Sequence, residues 1–202
     1  MLRPQDNDRR EAKRLDGLWD FVADSGGVGR GEGWWKGPLR DARPMPVPSA
    51  YDDVVVEPPL HDHVGDVWYQ RTVHVPTGWD GRRILVRFDA ATHRAVVWAD
   101  DTQVGEHEGG YTPFEADLTE VAVAGEPLRV TVVVNNELTW ESIPPGVIHD
   151  LGEDRRKQFS FQDFYNYAGL IRSVWLCATS RTHLADLTVV TDLDDGVGLV
   201  RW

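Results

Sequence analysis

One cysteine, Cys177, occurs in 202 residues. A lone thiol excludes an internal disulfide framework and a paired-cysteine zinc site. Its neighbours Trp175, Leu176 and Ala178 suggest a core strand, where a buried, inert thiol is expected and a nucleophile is not. No run reaches the roughly 18 apolar residues that a membrane-spanning helix needs. Residues 1–14 are polar and charged, with no apolar h-region, and do not read as a signal peptide. Together these absences point to the cytoplasm. Positive charge is also short: 21 Lys and Arg stand against 33 Asp and Glu, for a formal net charge of −12. Phosphate backbones and anionic lipid surfaces both call for a basic face, so nucleic acid and membrane are not expected as partners. Acidity by itself names no partner. The sequence contains no Gly-x-Ser-x-Gly elbow and no P-loop. It shows no sustained 3.6-residue periodicity and no internal repeat. Nothing in it marks a cofactor.

What is present is β-forming. Hydrophobic residues make up 41% of the chain and charged residues 27%, an ordinary balance for a soluble globular protein long enough to bury a core. Short β-branched runs fall at 67–75, 83–89, 94–99, 103–108, 128–134, 173–178 and 184–191. Gly, Pro and Asp turns separate many of them. Several short strands so spaced predict an all-β sandwich. Near the N-terminus, Asp16-Gly17 turns into a strand with Leu18, Asp20 and Val22 on one face and Trp19, Phe21 and Ala23 on the other. Residues 25–33 hold five glycines and read as a loop. Trp34-Trp35 follows on a short helical turn. Residues 43–48 carry three prolines and read as an extended surface segment, since proline removes ladder donors. Residues 139–160, with Pro144-Pro145-Gly146 and the charged run Glu153-Asp154-Arg155-Arg156-Lys157, read as a long loop, a feature usually functional or mobile.

Three parts are expected: a polar arm over 1–14, a sandwich over 15–182, and a linker strand with the start of a further β-domain over 183–202. The tail turns at Asp194-Asp195-Gly196 and ends in Leu199-Val200-Arg201-Trp202. A strand begun there without a partner implies that the chain continues.

The stretch from Phe161 to Val174 is the densest in chemistry. It sets Phe161, Phe164, Tyr165 and Tyr167 around one isolated carboxylate, Asp163, and runs through Gly169 into a strand. Aromatic faces cover the C–H side of a pyranose, and a carboxylate accepts from sugar hydroxyls. The competing reading is a packed loop whose aspartate caps backbone N–H groups. His61-Asp62-His63 has a spacing that suits a metal, but two ligands without a third favour a solvated loop. His93 reads as structural. Nine tryptophans suit strands as well as sugar or protein contacts. Trp34, Trp35 and Trp140 are candidates for interfaces, with burial in the sandwich as the alternative. No pair among the 33 acidic residues is marked out as a catalytic dyad.

Several blocks coincide, in order, with one family. They are Leu15-Asp16-Gly17-Leu18-Trp19, Val67-Trp68-Tyr69-Gln70-Arg71 and Arg87-Phe88-Asp89-Ala90-Ala91-Thr92-His93. The long block from Glu108 to Asp117 follows, then Val134-Asn135-Asn136-Glu137-Leu138, Ile143-Pro144-Pro145-Gly146 and Asn166-Tyr167-Ala168-Gly169. Over residues 1–192 the chain resembles the N-terminal, sugar-binding domain of the β-glucuronidases, in the glycoside hydrolase family 2 that includes β-galactosidases and β-mannosidases. The resemblance implies a jelly-roll β-sandwich, galactose-binding-domain-like, followed by an immunoglobulin-like domain and a catalytic (β/α)8 barrel. It also implies retaining hydrolysis of β-D-glucuronides, which uses two carboxyl groups about 5–5.5 Å apart. In the family both are glutamates on the barrel, which this chain lacks. No catalytic residue is therefore assigned here. Asp163 matches an aspartate that the family projects toward the active site, where it hydrogen-bonds a hydroxyl of the terminal sugar. Groups that recognise the glucuronate carboxylate belong to the barrel.

The resemblance leaves three expectations. The chain is the front portion of a β-glucuronidase, inactive alone and part of a homo-oligomer when full length. Alternatively it is a stand-alone carbohydrate-binding module. A structural role, packing on the barrel and on neighbouring subunits, is the third.

Overall fold

Apolar and polar residues alternate along much of the chain, and that alternation decides which way each strand faces. The computed structural model describes residues 3–152, 155–163, 165–184 and 187–202. In chain order the strands are Arg10–Arg14 (β1), Gly17–Ala23 (β2), Arg43–Val47 (β3), Asp66–His74 (β4), Arg83–Phe88 (β5), Arg94–Ala99 (β6), Thr102–Glu108 (β7), Phe114–Asp117 (β8), Pro127–Asn135 (β9), Gly146–Asp150 (β10), Arg156–Ser160 (β11), Val174–Thr179 (β12), Val190–Asp194 (β13) and Val197–Arg201 (β14). Helical turns of four residues occur at Gly29–Glu32 (α1), Tyr51–Val54 (α2) and Pro58–His61 (α3). A six-stranded sheet runs β3-β2-β4-β9-β6-β7, and a four-stranded sheet runs β1-β12-β5-β8. Each named ladder in both is antiparallel.

The two sheets share one core. Trp19 and Phe21 of β2, Val67 and Tyr69 of β4, and Val130, Val132 and Val134 of β9 face Val86 and Phe88 of β5 and Val174 and Leu176 of β12. This is the all-β sandwich that the strand spacing predicts, in the jelly-roll form that the family resemblance implies. On β2, Trp19 and Phe21 are buried while Leu18 and Asp20 are exposed, the predicted division of faces.

The large sheet is buried on its outer side as well. The segment between β2 and β3 folds over it, so β4 and β9 read as nearly continuous buried runs. Trp35 stacks on Trp98 with centroids 4.8 Å apart, and Trp68 lies 5.5 Å from Trp98. Trp34 adds a tilted contact to Trp68 at 5.8 Å. Trp34 and Trp35 are thus half-buried against the outside of the sheet, not inside the sandwich. Gln70 anchors this cover. Its Nε2 donates to the Gly37 carbonyl and to Thr131 Oγ1, both at 2.9 Å, and its Oε1 accepts from Leu39 N–H at 3.1 Å.

Several elements depart from the sequence reading. Arg10–Arg14 is a strand on the edge of the small sheet, paired with β12, not free arm. An edge ladder needs only backbone donors and acceptors, so a charged sequence suffices. The Arg14 guanidinium lies 4.8 Å from the Trp175 ring centre, and Trp79 Nε1 donates to Glu11 at 2.8 Å. The proline-rich segment is β3, at the edge of the large sheet, where Pro44 and Pro46 cost no central pairing. It is more than surface, because Met45 and Val47 are buried.

Residues 139–160 are not one loop. They contain the hairpin β10–β11, whose charged strands lack the alternation that marks a half-buried strand. Glu153 and Asp154 of the charged run lie outside the described residues. The strand expected over 184–191 begins only at Val190, and Ala185 and Asp186 lie outside the described residues. The final apolar segment does have a partner, since β14 pairs with β13 from Val190↔Arg201 to Asp194↔Val197. Cys177 is half-buried on the outer face of the small sheet. Burial still pushes its thiol up to about 11, which keeps it protonated and inert at neutral pH.

Gln70→Leu removes all three anchoring bonds while keeping side-chain bulk, and leaves the Leu39 N–H without its acceptor. Unsatisfied buried groups cost about 1–3 kcal/mol each, so the variant is expected to lose roughly 2–4 kcal/mol of stability. Urea unfolding checks the loss, and a weaker near-ultraviolet circular dichroism signal reports loosening of the tryptophan cluster.

Candidate functional site

The site begins with a glycine. Gly169 has φ of 110°, and a Cβ there would run into the Tyr69 hydroxyl and the Tyr51 ring. Only glycine adopts this conformation without strain and allows so close an approach. The backbone around it is tied on several sides. Ser49 N–H donates to Leu170 O at 2.9 Å, Tyr51 N–H to Ala168 O at 3.0 Å, and Thr92 N–H to Gly169 O at 3.0 Å. Thr92 Oγ1 donates to the same Gly169 carbonyl at 3.2 Å. Residues 168–170 form a strap between α2 and the start of β6. The chemistry-bearing residues 160–167 lead into it.

Beside the strap opens a cleft of about 490 Å³. The β10–β11 hairpin supplies Lys157, Gln158 and Ser160 to its wall. The following loop supplies Gln162, Asp163, Tyr165 and Asn166, and the 52–64 segment supplies Asp52, His61, Asp62 and His63. Asp163 is exposed, and among the described residues its carboxylate takes part in no hydrogen bond or ion pair. It is therefore not a backbone cap; Ser160 Oγ does that work by accepting from Gln162 N–H at 3.1 Å. Phe164, the next residue, lies outside the described residues. Tyr165 and Tyr167 pack edge to face, 5.1 Å apart, and both remain more than two-fifths exposed.

Asn136 braces the cleft from beneath. Its Nδ2 donates to the Tyr51 hydroxyl and to the His63 carbonyl, both at 2.8 Å, and its Oδ1 accepts from Gly65 N–H at 2.8 Å. His93 Nε2 lies 2.7 Å from Asn166 Oδ1. Because that oxygen only accepts, the imidazole proton sits on Nε2. Burial holds His93 below the usual histidine range and so favours the neutral ring. The structural reading of His93 fits this contact, which fixes the side chain three residues after Asp163.

The three residues of His61-Asp62-His63 have separate surroundings. His61 is exposed, with Nδ1 2.8 Å from Asp62 and Nε2 3.3 Å from the Tyr165 hydroxyl. His63 is buried, contrary to a solvated loop, and its Nε2 bonds the Asp66 carbonyl at 2.9 Å. Desolvation lowers its pKa.

Sequence reasoning passes over Asp52. It sits on α2 with 6% of its surface exposed. Its Oδ1 accepts from Ala168 N–H at 3.0 Å, and its backbone carbonyl accepts from the Tyr165 hydroxyl at 2.9 Å. Burial raises its carboxyl to about 6, against the lowering effect of the Ala168 bond. The Tyr165 phenol is pushed up to about 12, by desolvation first and then by the Asp52, Asp53 and Asp62 charges. An aspartate in an Asp-Asp pair carries no local signal of burial, so only the fold could find it. Trp140 was a candidate for burial or an interface; it is 76% exposed and leans on Phe161 at 4.5 Å.

Comparison with known proteins places this geometry. Residues 12–180 match the family described as glycosyl hydrolases family 2, sugar binding domain. The whole chain is 46% identical to a β-glucuronidase of Paenibacillus borealis, covering 35% of that protein. It is 42% identical to the human β-glucuronidase, covering 34% of it. Among solved structures, Ruminococcus gnavus β-glucuronidase superposes on 98% of this chain with a TM-score of 0.91 and 36% identity, over 34% of its own length. The same enzyme has been solved in complex with D-glucuronic acid. The chain thus spans about a third of the relatives it matches. The sandwich and the family match over 12–180 agree, and the chain belongs to the sugar-binding domains of glycosyl hydrolase family 2.

Proposed function

We propose that this chain is the sugar-positioning part of a β-glucuronidase, a retaining glycosidase that hydrolyses β-D-glucuronides. The observation that carries the reading is Asp163, an exposed carboxylate with no protein partner among the described residues, on the wall of a 490 Å³ cleft. A free carboxylate accepts two or more hydroxyl donors, and a pyranose presents them at fixed spacing. Holding the ring in one orientation lowers the barrier by positioning. The bond-breaking groups in this reading are two glutamates on a (β/α)8 barrel, one acid/base and one nucleophile. The hairpin β13–β14 reads as the start of an immunoglobulin-like domain. In support, Leu193, Val197, Val200 and Trp202 are each more than half exposed, apolar surface that a following domain would cover.

The isolated chain is expected to leave p-nitrophenyl-β-glucuronide unhydrolysed and to show negligible heat with glucuronate in calorimetry, since one carboxylate is a weak site. Measurable glucuronate binding by the isolated chain would favour a stand-alone carbohydrate-binding module. Turnover would overturn both readings.

Asp163 is tested in a chimera in which this chain replaces the matching third of the Paenibacillus borealis β-glucuronidase. Asp163→Ala is expected to lower kcat/KM by roughly 100-fold, the scale at which lost positioning acts. Because the residue is exposed, the melting transition should move by less than about 0.5 kcal/mol equivalent. An unchanged kcat/KM removes Asp163 from the substrate site.

A further inference from the structure

We propose that Asp52 is the positioning residue of the sugar-facing loop, holding Tyr165 through Ala168 by two bonds and setting the looseness of that segment according to its own protonation. The functional meaning of this proposal rests on the reading of Asp163 as a sugar contact; the positioning itself does not.

The geometry comes first. Asp52 reaches the loop twice, by its side chain to Ala168 N–H at 3.0 Å and by its backbone carbonyl to the Tyr165 hydroxyl at 2.9 Å. These bonds bracket Asn166 and Tyr167 and begin two residues after Asp163. Beyond Ala168 the strap is held by backbone bonds to Ser49, Tyr51 and Thr92, none of which titrates. Before it, the described bonds besides those of Asp52 are Tyr167 N–H to Tyr165 O at 3.2 Å, His93 to Asn166 at 2.7 Å and the Tyr165 hydroxyl to His61 Nε2 at 3.3 Å. Asp52 therefore joins the rigid strap to its looser approach.

Burial decides the sign, and the surrounding charges only modify it. From its own helix Asp52 meets Tyr51 and Asp53, from α3 His61, from β4 Tyr69, and from the loops Tyr111 and Tyr165, the last of which also feels the Asp62 charge. Of these only His61, when protonated, favours the anion. No cation hydrogen-bonds the carboxylate among the described residues. Desolvation, the largest effect, holds the closed carboxyl at about 6, against 3.8 for an ordinary aspartate. A group whose closed-state pKa is raised favours closure below its ordinary value. That advantage is lost as pH rises through about 6. Ionised Asp52 keeps a good acceptor for Ala168 but gains by reaching water, so the loop opens more often at neutral pH. Loops at ligand sites are drawn from the low-stability end of a structure.

The test is amide hydrogen exchange by NMR on the 202-residue chain from pH 4 to 7.5, corrected for intrinsic exchange. Opening at Ala168 and Tyr167 is expected to increase by up to roughly 100-fold across that range, the ratio set by the two pKa values. Asp52→Asn keeps an oxygen acceptor and cannot ionise; it should keep the protection and flatten the pH dependence. Asp52→Ala should expose Ala168 at every pH while the chemical shifts of β4 and β9 stay in place. A flat wild-type profile, or an unchanged slope in Asp52→Asn, overturns the proposal. In the chimera, KM is expected to rise between pH 5 and 7 in the wild type relative to Asp52→Asn, a change that a purely structural aspartate would not give. An exchange result as expected, with Asp163→Ala leaving the chimera's kcat/KM unchanged, would sink the sugar reading of Asp163 alone.

Discussion

The backbone of Ala168, Gly169 and Leu170 is the constraint on which the cleft depends. Three successive carbonyls accept from Tyr51, Thr92 and Ser49. Two of those donors sit at α2 and one at the entry to β6, so the strap ties the 49–51 turn to the entry of a sheet strand. The close approach is possible because Gly169 has no Cβ to meet Tyr69 and Tyr51. Once the strap is placed, the direction from which residues 160–167 arrive is limited. Asp163 is on the cleft wall because the chain must pass that wall to reach the strap.

The strap has to be stiff for this to matter, and stiffness comes from the large sheet. Tyr69 lies on β4, which is buried on both faces, inward against the common core and outward beneath Trp34 and Trp35. A strand with both faces packed cannot tilt to relieve a crowded contact without disturbing two layers. Asn136, just past β9, extends this rigidity toward the cleft through its bonds to Tyr51 and His63. By contrast, the β10–β11 hairpin and the loops on either side of it carry exposed Trp140, Phe159 and Phe161. One side of the cleft is thus built on a core, and the other on a hairpin whose apolar side chains remain uncovered.

Legibility in the sequence followed the same division. Strands with β-branched runs, such as β4, β6 and β9, were readable because their patterns meet the demands of packing. Charged β1 and β11 were not, since a backbone ladder at an edge or in a hairpin leaves little trace in side-chain type. Trp34 and Trp35 were readable as a short turn, but the outer face they cover was not, because which side of a sheet an excursion crosses is a tertiary fact. At the site, Asp163 stood out as the lone carboxylate among aromatics. Asp52 did not, because an aspartate 111 positions earlier in the chain reveals its burial only when α2 and the strap come together. His63 misled for a related reason: two histidines without a third ligand read as a solvated loop, while the Tyr51–Asn136 network drew His63 inward.

The charges around the cleft bear on what this domain is able to do by itself. Asp52, Asp62 and Asp163 line it, with Lys157 the one lysine or arginine among the described lining residues, in a chain of net charge −12. A uronate carries its own carboxylate, and like charges in a partly dry cleft repel more strongly than in water. Carboxylates are good partners for sugar hydroxyls and poor ones for that anion. On the proposed reading, the ring hydroxyls belong to this domain, while the sugar's charge must be met by cations or amides from another domain. Asp163 would then point to the part of the sugar where a carboxylate helps. It would also bias the sugar's own carboxylate away from this wall, so repulsion and hydrogen bonding would fix the same orientation.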